Sequence, residues 1–387
     1  MEAIKKPLKT LYFLTFLVAL SVAFPSYIHS TFINGFVDLR WVGLFFIGSM
    51  SATLITINFF SFLIKKVSNY SLAILVLIIT FFATLGFITT ESPYFAFLFF
   101  VILGTGSRVI WINMDVFVER FCLNTTTGLT RTIYLTAINF GWLVSPMIAG
   151  YLVDRGSYKL VYLISAFLII PILLILILRK KKLKDQAAIY NHGEIIKTIK
   201  KMFSNKNLRS IFAVAFLLQL FFALSVIYIP LYLYETIGLS WSVLGIIFTL
   251  MLIPYIILEI PAGILADKYF GQKEILVIGF MILSASTALF YFINSSNFMV
   301  WAIILFLSRC GASLIEAMRE TYFFKLVDVE DIDLINFFKN AVPFGYLVAS
   351  AIGVVVLKFY PLQYIFLFLS IILLFGIYFS LRLKDTK

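Results

Sequence analysis

Arg108 and Arg309 stand deep inside apolar stretches, and each opens the same pattern of charges. Ser107-Arg108 is followed by Asp115 and Glu119; Ser308-Arg309 is followed by Glu316 and Glu320. Every residue of the first set maps onto the second at an offset of 201 positions. On a helix, spacings of 7 and 11 return to within roughly 20° of the starting direction. Each copy therefore sets one guanidinium and two carboxylates along one face. Charge inside a bilayer is costly and is kept for a cavity, a partner charge or an ion path. The chemistry on offer is ion pairing, capture of a charged solute, and proton uptake by a carboxylate. Glu259 adds another acid within an apolar run, fit to carry a proton unless Arg309 or Arg319 pairs with it. Gln219, Asn113 and Asn139 are uncharged polar groups suited to solute contact or to hydrogen bonding between helices.

The elements that must position these residues are membrane helices. The chain of 387 residues is 62% hydrophobic and 13% charged, with mean hydropathy +1.02. A soluble domain carries far more polar surface. Twelve apolar stretches are long enough to span, at approximately 10–33, 41–64, 70–90, 93–121, 132–153, 157–178, 209–233, 241–264, 274–293, 298–325, 334–358 and 361–382. They are continuous, which excludes the weak alternation of a β-barrel. The expected fold is an all-α integral membrane protein of twelve transmembrane helices in two pseudo-symmetric six-helix bundles. Lys5, Lys6 and Lys9 before the first run mimic a signal peptide, but the run is too long and lacks a small-residue cleavage site, so it is read as a retained first helix.

The net charge of +12 has a topological cause. Arg40, Arg155, Lys159 and Lys358 fall outside, and Arg108, Arg309 and Arg319 lie within helices. Every other Lys and Arg falls in segments that are cytoplasmic when both termini are. That is the positive-inside pattern of a multi-pass protein of the inner (plasma) membrane. It speaks against nucleic acid as a partner and leaves anionic lipid as a secondary one.

Residues 1–178 form the first expected bundle, 179–208 a cytoplasmic linker and 209–387 the second bundle. The linker opens on Arg179-Lys180-Lys181-Lys182. Within it, Ile195, Ile196, Ile199, Met202 and Phe203 recur at helical spacing between lysines, as in an amphipathic helix lying on a membrane surface. Trp41-Val42-Gly43 is echoed near Trp241, and Gly141-Trp142-Leu143-Val144 by Gly345-Tyr346-Leu347-Val348. Parallel repeats of six helices are a transporter architecture with the solute site at the midplane.

The segment Gly263-Ile264-Leu265-Ala266-Asp267-Lys268-Tyr269-Phe270-Gly271-Gln272-Lys273 resembles the loop signature of the major facilitator superfamily, with Lys268 for the usual Arg and one extra residue before Gly271. Leu258-Glu259-Ile260-Pro261-Ala262 before it is similar to that family as well. The run Gly141-x-x-x-Ser145-Pro146-x-x-Ala149-Gly150 resembles the packing motif of its exporter (drug/proton antiporter) branch, with Ser145 and Ala149 for two glycines. The resemblance spans the chain. It implies alternating access, a cavity lined by helices 1, 4, 7 and 10, and a cytoplasmic gate. That gate is built from Gly263, Asp267, Lys268, Gly271 and Lys273, with Glu119 and Glu320 nearer the cytoplasm; Lys268 is expected to meet Glu320. Arg108, Asp115, Arg309, Glu316 and Glu259 then become the coupling and substrate path.

These readings converge on a proton-coupled exporter of small amphiphilic compounds, working as a monomer. An importer of a small polar or anionic solute is the rival, and a non-transporting receptor on the same fold is the reading from another class. The first helix lacks the carboxylate common among such exporters. The chain shows no P-loop, His-Glu-x-x-His or nucleophile elbow, so catalysis is not expected. Cys122 and Cys310, and His29 and His192, make neither a disulfide framework nor a metal spacing, and no cofactor is expected.

One departure from the family pattern makes a prediction. Aligned on the repeat, Ser61 stands for Gly263, Lys65 for Asp267 and Lys66 for Lys268. The acid has become a base, and the acidic segment holding Asp331 and Asp333 has no acidic counterpart in the first half. A charge-swapped gate follows, Lys65 with Asp331 or Asp333 and Lys66 with Glu119. An exposed pair contributes only about 0–1 kcal/mol, enough to bias a balanced equilibrium. Lys65→Asp should favour the inward-open state, and adding Asp333→Lys should restore flux and cysteine accessibility. A double variant no better than either single removes the gate.

Overall fold

With no water to bond to, a chain in hydrocarbon must close its own backbone hydrogen bonds, which selects helix. The computed structural model describes residues 2–121, 127–183, 195–327 and 332–384. Twelve segments are long and apolar enough to cross a membrane. In chain order they belong to α1 (Glu2–Ser26), α2 (Val42–Val67), α3 (Asn69–Thr89), α4 (Pro93–Arg120), α5 (Thr127–Arg155), α6 (Tyr158–Leu178), α7 (Lys206–Leu231), α8 (Trp241–Phe270), α9 (Gln272–Phe292), α10 (Phe298–Leu326), α11 (Ala341–Phe359) and α12 (Tyr364–Leu381). Side-chain caps set several starts. Ser68, Ser157, Asn205, Ser240 and Asn297 each accept a backbone N–H of the following first turn. Apolar side chains that remain uncovered, such as Phe82 at 63% and Leu178 at 80% exposure, suit contact with lipid.

The chain divides into two compact units, Met1–Asp38 with Phe45–His192, and Leu39–Leu44 with Gly193–Lys387. In the first, α1 packs on α4, α5 and α6, while α3 packs on α4 and α6. In the second, α7 packs on α10, α11 and α12, while α9 packs on α10 and α12. The second set of pairings is the first advanced by six helices, so the repeat read from charges is also a repeat of packing. The core of the first unit brings together Leu14, Leu77, Met114 and Ile172 from four different helices.

Three expected helices are broken, each close to a proline; the run at 334–358 is divided at Asn340 into Ile332–Lys339 and Ala341–Phe359, with Pro343 in the first turn of the second piece. The run at 10–33 stops at Ser26 and resumes as a short helix, His29–Asn34. The nitrogen of Pro25 cannot donate to the carbonyl four residues back, that of Ser21. The Ser165 hydroxyl of α6 donates to that carbonyl instead, at 2.5 Å, and the Ser21 hydroxyl donates to the Ser165 carbonyl at 2.9 Å. Helix α8 consists of Trp241–Leu250, Ile253–Ile257 and Glu259–Leu265. Pro254 and Pro261 fall in the first turns of the second and third pieces, where a missing N–H costs least.

The loop expected at Gly263–Lys273 is mostly helix. A π turn, Ala266–Phe270, extends α8 and absorbs the one residue by which the segment exceeds the family pattern. The chain reverses at Gly271 alone, with φ 95° and ψ 161°, and α9 begins at the next residue. The corresponding corner of the first unit is Ser68, at φ 67°. Gly263, expected to permit close helix approach, lies within the helix, and no described atom comes within 4 Å of where its Cβ would project.

Close approach occurs elsewhere. A Cβ on Gly141 of α5 would lie 2.6 Å from the Cβ of Ala19 on α1. One on Gly345 of α11 would lie 2.7 Å from the Cβ of Gln219 on α7. Gly141, Ser145, Pro146, Ala149 and Gly150 are all buried on one face of α5, with Met147 and Ile148 exposed between them. Gly141→Ala and Gly345→Ala should each cost about 1–3 kcal/mol from overpacking. Gly271→Ala should cost about 1–3 kcal/mol from backbone strain. Gly263→Ala should instead stabilise its helix by about 0.5–1 kcal/mol. Thermal unfolding of the four variants in detergent checks the ranking, and a destabilised Gly263→Ala would contradict it.

Candidate functional site

In the first unit, Arg108 and Asp115 are both half-buried on α4. The buried Tyr134 of α5 donates its hydroxyl to Asp115 Oδ1 at 2.9 Å. Asn113 does not join them. Five residues from Arg108, it points to the opposite side of α4, where it is fully buried. Its side-chain amide donates to the Val109 carbonyl at 2.9 Å, and its backbone carbonyl accepts from the Asn69 side chain of α3 at 3.2 Å; its Oδ1 has no hydrogen-bond partner among the described residues. His29 is likewise enclosed by rings, its Nδ1 2.7 Å from the Tyr162 hydroxyl and its ring edge-to-face with Phe100.

The second unit holds the denser cluster. Arg309 on α10 is 3% exposed. Its guanidinium carbon lies 4.8 Å from the ring centre of Phe221 and 5.6 Å from that of Phe222, neighbours on α7. Nε and Nη1 of Arg309 have no hydrogen-bond partner among the described residues. Gln219, one turn earlier on α7, is buried against Gly345. Two turns along α10, Glu316 is held by Arg319 at 3.4 Å, and the same Arg319 meets Glu320 at 3.2 Å. Glu320 was expected to meet Lys268; it is engaged by the neighbouring guanidinium instead, and Lys268 is exposed. Glu259, half-buried at the start of the last α-helical piece of α8, is within electrostatic reach of Glu316.

Arg319 is the residue that the repeated charge pattern passes over. At the offset of 201 its counterpart is Val118, so the first unit has no equivalent base. The offset of α5 to α11 is 204, from Gly141 to Gly345, and it carries Tyr134 onto Phe338. Phe338 lies 5.8 Å beneath the guanidinium carbon of Arg319. At matching places a tyrosine hydroxyl reaches an acid in one unit, and in the other an arginine beside two acids rests on a phenylalanine ring. The signal available in the sequence was the i, i+3 spacing of Glu316 and Arg319.

Of the gate residues, Lys66 is exposed with its Nζ 4.5 Å from the Phe62 ring centre, and Lys273 is half-buried at the start of α9. Asp331, Cys122 and His192 lie outside the described residues, as do the side chains of Lys65, Glu119, Asp267 and Asp333. No group of three or more His, Cys, Asp or Glu suited to a metal ion occurs among the described residues.

The Major Facilitator Superfamily sequence model matches residues 8–245 and again 211–387. A comparison with curated proteins finds no match. Among solved structures, the nucleoside transporter NupG gives a TM-score of 0.77 at 15% identity, covering 98% of this chain and 100% of that one. A bacterial homologue of the human lysosomal transporter Spinster, described as inward-facing and unoccupied, gives 0.76 at 12% identity, with 98% and 96% covered. A peptide transporter, POT, in complex with sulfate, gives 0.77 at 12% identity, with 97% and 93% covered. Identities this low speak for the fold alone, whereas the family match runs through both repeats. This multi-pass membrane protein belongs to the Major Facilitator Superfamily of transporters.

Proposed function

We propose that the chain is a proton-coupled secondary transporter working by alternating access in the inner (plasma) membrane, with both termini cytoplasmic. Residues 179–208 join its two six-helix bundles. The observation that carries proton coupling is the acid pair of the second unit. Glu259 has no ion-pair partner among the described residues and stands within reach of Glu316, itself held by Arg319. Two carboxylates that close in a poorly solvated place share protons readily. One of them can therefore take a proton on one side of the membrane and release it on the other.

Export of small amphiphilic compounds is the direction favoured by the α5 packing motif, Gly141 to Gly150. Arg309 favours a second reading, in which a proton and an anionic solute move inward together. The solved relatives carry nucleosides or peptides, by their names, so the solute must be read from this chain's own residues. Flux in proteoliposomes under an imposed pH gradient, against a panel of cationic, neutral and anionic compounds, tests both directions. Uphill movement against the proton flow supports export, and movement with it supports import. A protein that moves nothing and exchanges nothing would refute transport by this chain.

Neutralising the proton carrier should separate coupling from exchange. Glu259→Gln or Glu316→Gln should lower gradient-driven accumulation by about tenfold or more, equivalent to about 1.4 kcal/mol, while leaving solute counterflow in place. Asp115→Asn, whose carboxylate bonds Tyr134, is the third variant. If all three still drive uphill transport, the proton is carried elsewhere.

A further inference from the structure

We infer that the second unit carries a binding site for an organic anion, formed by Arg309 with Phe221 and Phe222. The inference rests on the transport reading and names the chemical class of its solute. A guanidinium presents five N–H donors in one plane and accepts nothing. The rings of Phe221 and Phe222 attract its cation through their faces. They offer no acceptor for the in-plane donors, and Nε and Nη1 stay without partners among the described residues although the side chain is 97% buried, the complement of its 3% exposure.

A buried cation in that condition is strongly disfavoured unless something supplies the missing charge. Of the acids on its own helix, Glu316 is within electrostatic reach of Arg309 but makes no ion pair with it among the described residues. Glu316 lies seven residues on, about 10 Å along the helix, and is paired with Arg319, which also holds Glu320. Arg309 makes no ion pair among the described residues. A carboxylate or phosphate of a solute would match its planar donors. The aromatic surface continues from Phe222 to Tyr255 on α8, with ring centres 6.3 Å apart. Flat apolar walls beside a single charge suit an anion with an aromatic or otherwise apolar body better than a small hydrated ion.

The test uses the full-length protein in phosphatidylcholine nanodiscs, with benzoate and phenyl phosphate as anionic probes and benzyl alcohol and benzylammonium as neutral and cationic ones. Ligand binding raises the unfolding temperature by mass action. Either anionic probe should raise it, and the other two should not. Arg309→Gln should weaken anion binding by about tenfold or more, the loss expected for one charge-assisted contact. Phe222→Leu keeps the charge and removes a wall, so it should weaken benzoate and phenyl phosphate binding by about threefold. It also keeps the inference testable should Arg309→Gln fail to fold. Equal stabilisation by neutral or cationic probes, no response to any probe, or an anion response unaffected by Phe222→Leu and Arg309→Gln would overturn the site. If phosphatidylglycerol in the disc abolishes the Arg309-dependent response, a lipid headgroup is the occupant and the solute site falls. Uphill flux of a neutral or cationic compound, with no anion binding, would sink this inference while leaving proton-coupled transport standing.

Discussion

Hydrocarbon gives a polar group nothing to bond to, and the placement of serine, proline and glycine in this chain follows from that lack. Where Pro25 withdraws a donor, the freed carbonyl of Ser21 receives the Ser165 hydroxyl, and the two helices are tied together by the repair. Buried hydroxyls elsewhere bond back to their own helices, as Ser308 does to Leu305 at 2.7 Å and Ser380 to Gly376 at 2.7 Å. Such bonds let serine reside in an apolar helix without a partner on another one. Glycine at positions 141 and 345 then brings backbone against backbone, which is how membrane helices gain packing contact without a hydrophobic drive between them.

The same constraint acts more strongly on charge, and the two units meet it differently. In the first, Asp115 accepts from a neutral hydroxyl, that of Tyr134. In the second, one base is shared by two acids, while a second base stacks on rings with two nitrogens unbonded among the described residues. The second gathers several ionisable groups whose charges depend on one another. Duplicated sequence has thus been given unequal electrostatic work, and the unequal half is the one with Arg319 in place of a valine.

Helices were legible because length and hydropathy decide them: a continuous apolar run of some twenty residues has few other fates in a membrane. The breaks were harder to read. Pro25, Pro254 and Pro261 were visible, but whether a proline kinks, ends or merely starts a helical piece depends on what satisfies the freed carbonyl, and Ser165 lies 144 residues from Ser21. The face of Asn113 was readable from its spacing to Arg108, since five residues turn a helix roughly 140°; grouping it by polarity alone obscured this. The rings against Arg309 come from another helix, and nothing local to Arg309 announces Phe221 and Phe222. The π turn had a local trace, the single residue by which the segment before Gly271 exceeds its family pattern.

The charges of the second unit's cluster also constrain what can enter it. Glu259, Glu316 and Glu320 supply three carboxylates against the two guanidiniums of Arg309 and Arg319, leaving one negative charge when all are ionised. A proton arriving alone makes the cluster neutral; a monoanion arriving alone doubles its negative charge. Changes of net charge are expensive where solvent cannot relax around them. A monoanion that arrives with one proton leaves the net charge as it was. In the proposed site, the carboxylate that takes the proton would also stop repelling an anion at Arg309, so the two would bind more readily together than apart. Coupling of this kind would need no moving part within the cluster; it would follow from acids and bases whose charges depend on one another. On the proposed reading the proton would be the condition for the anion's entry, and the guanidinium stacked on Phe221 would be the group that makes it so.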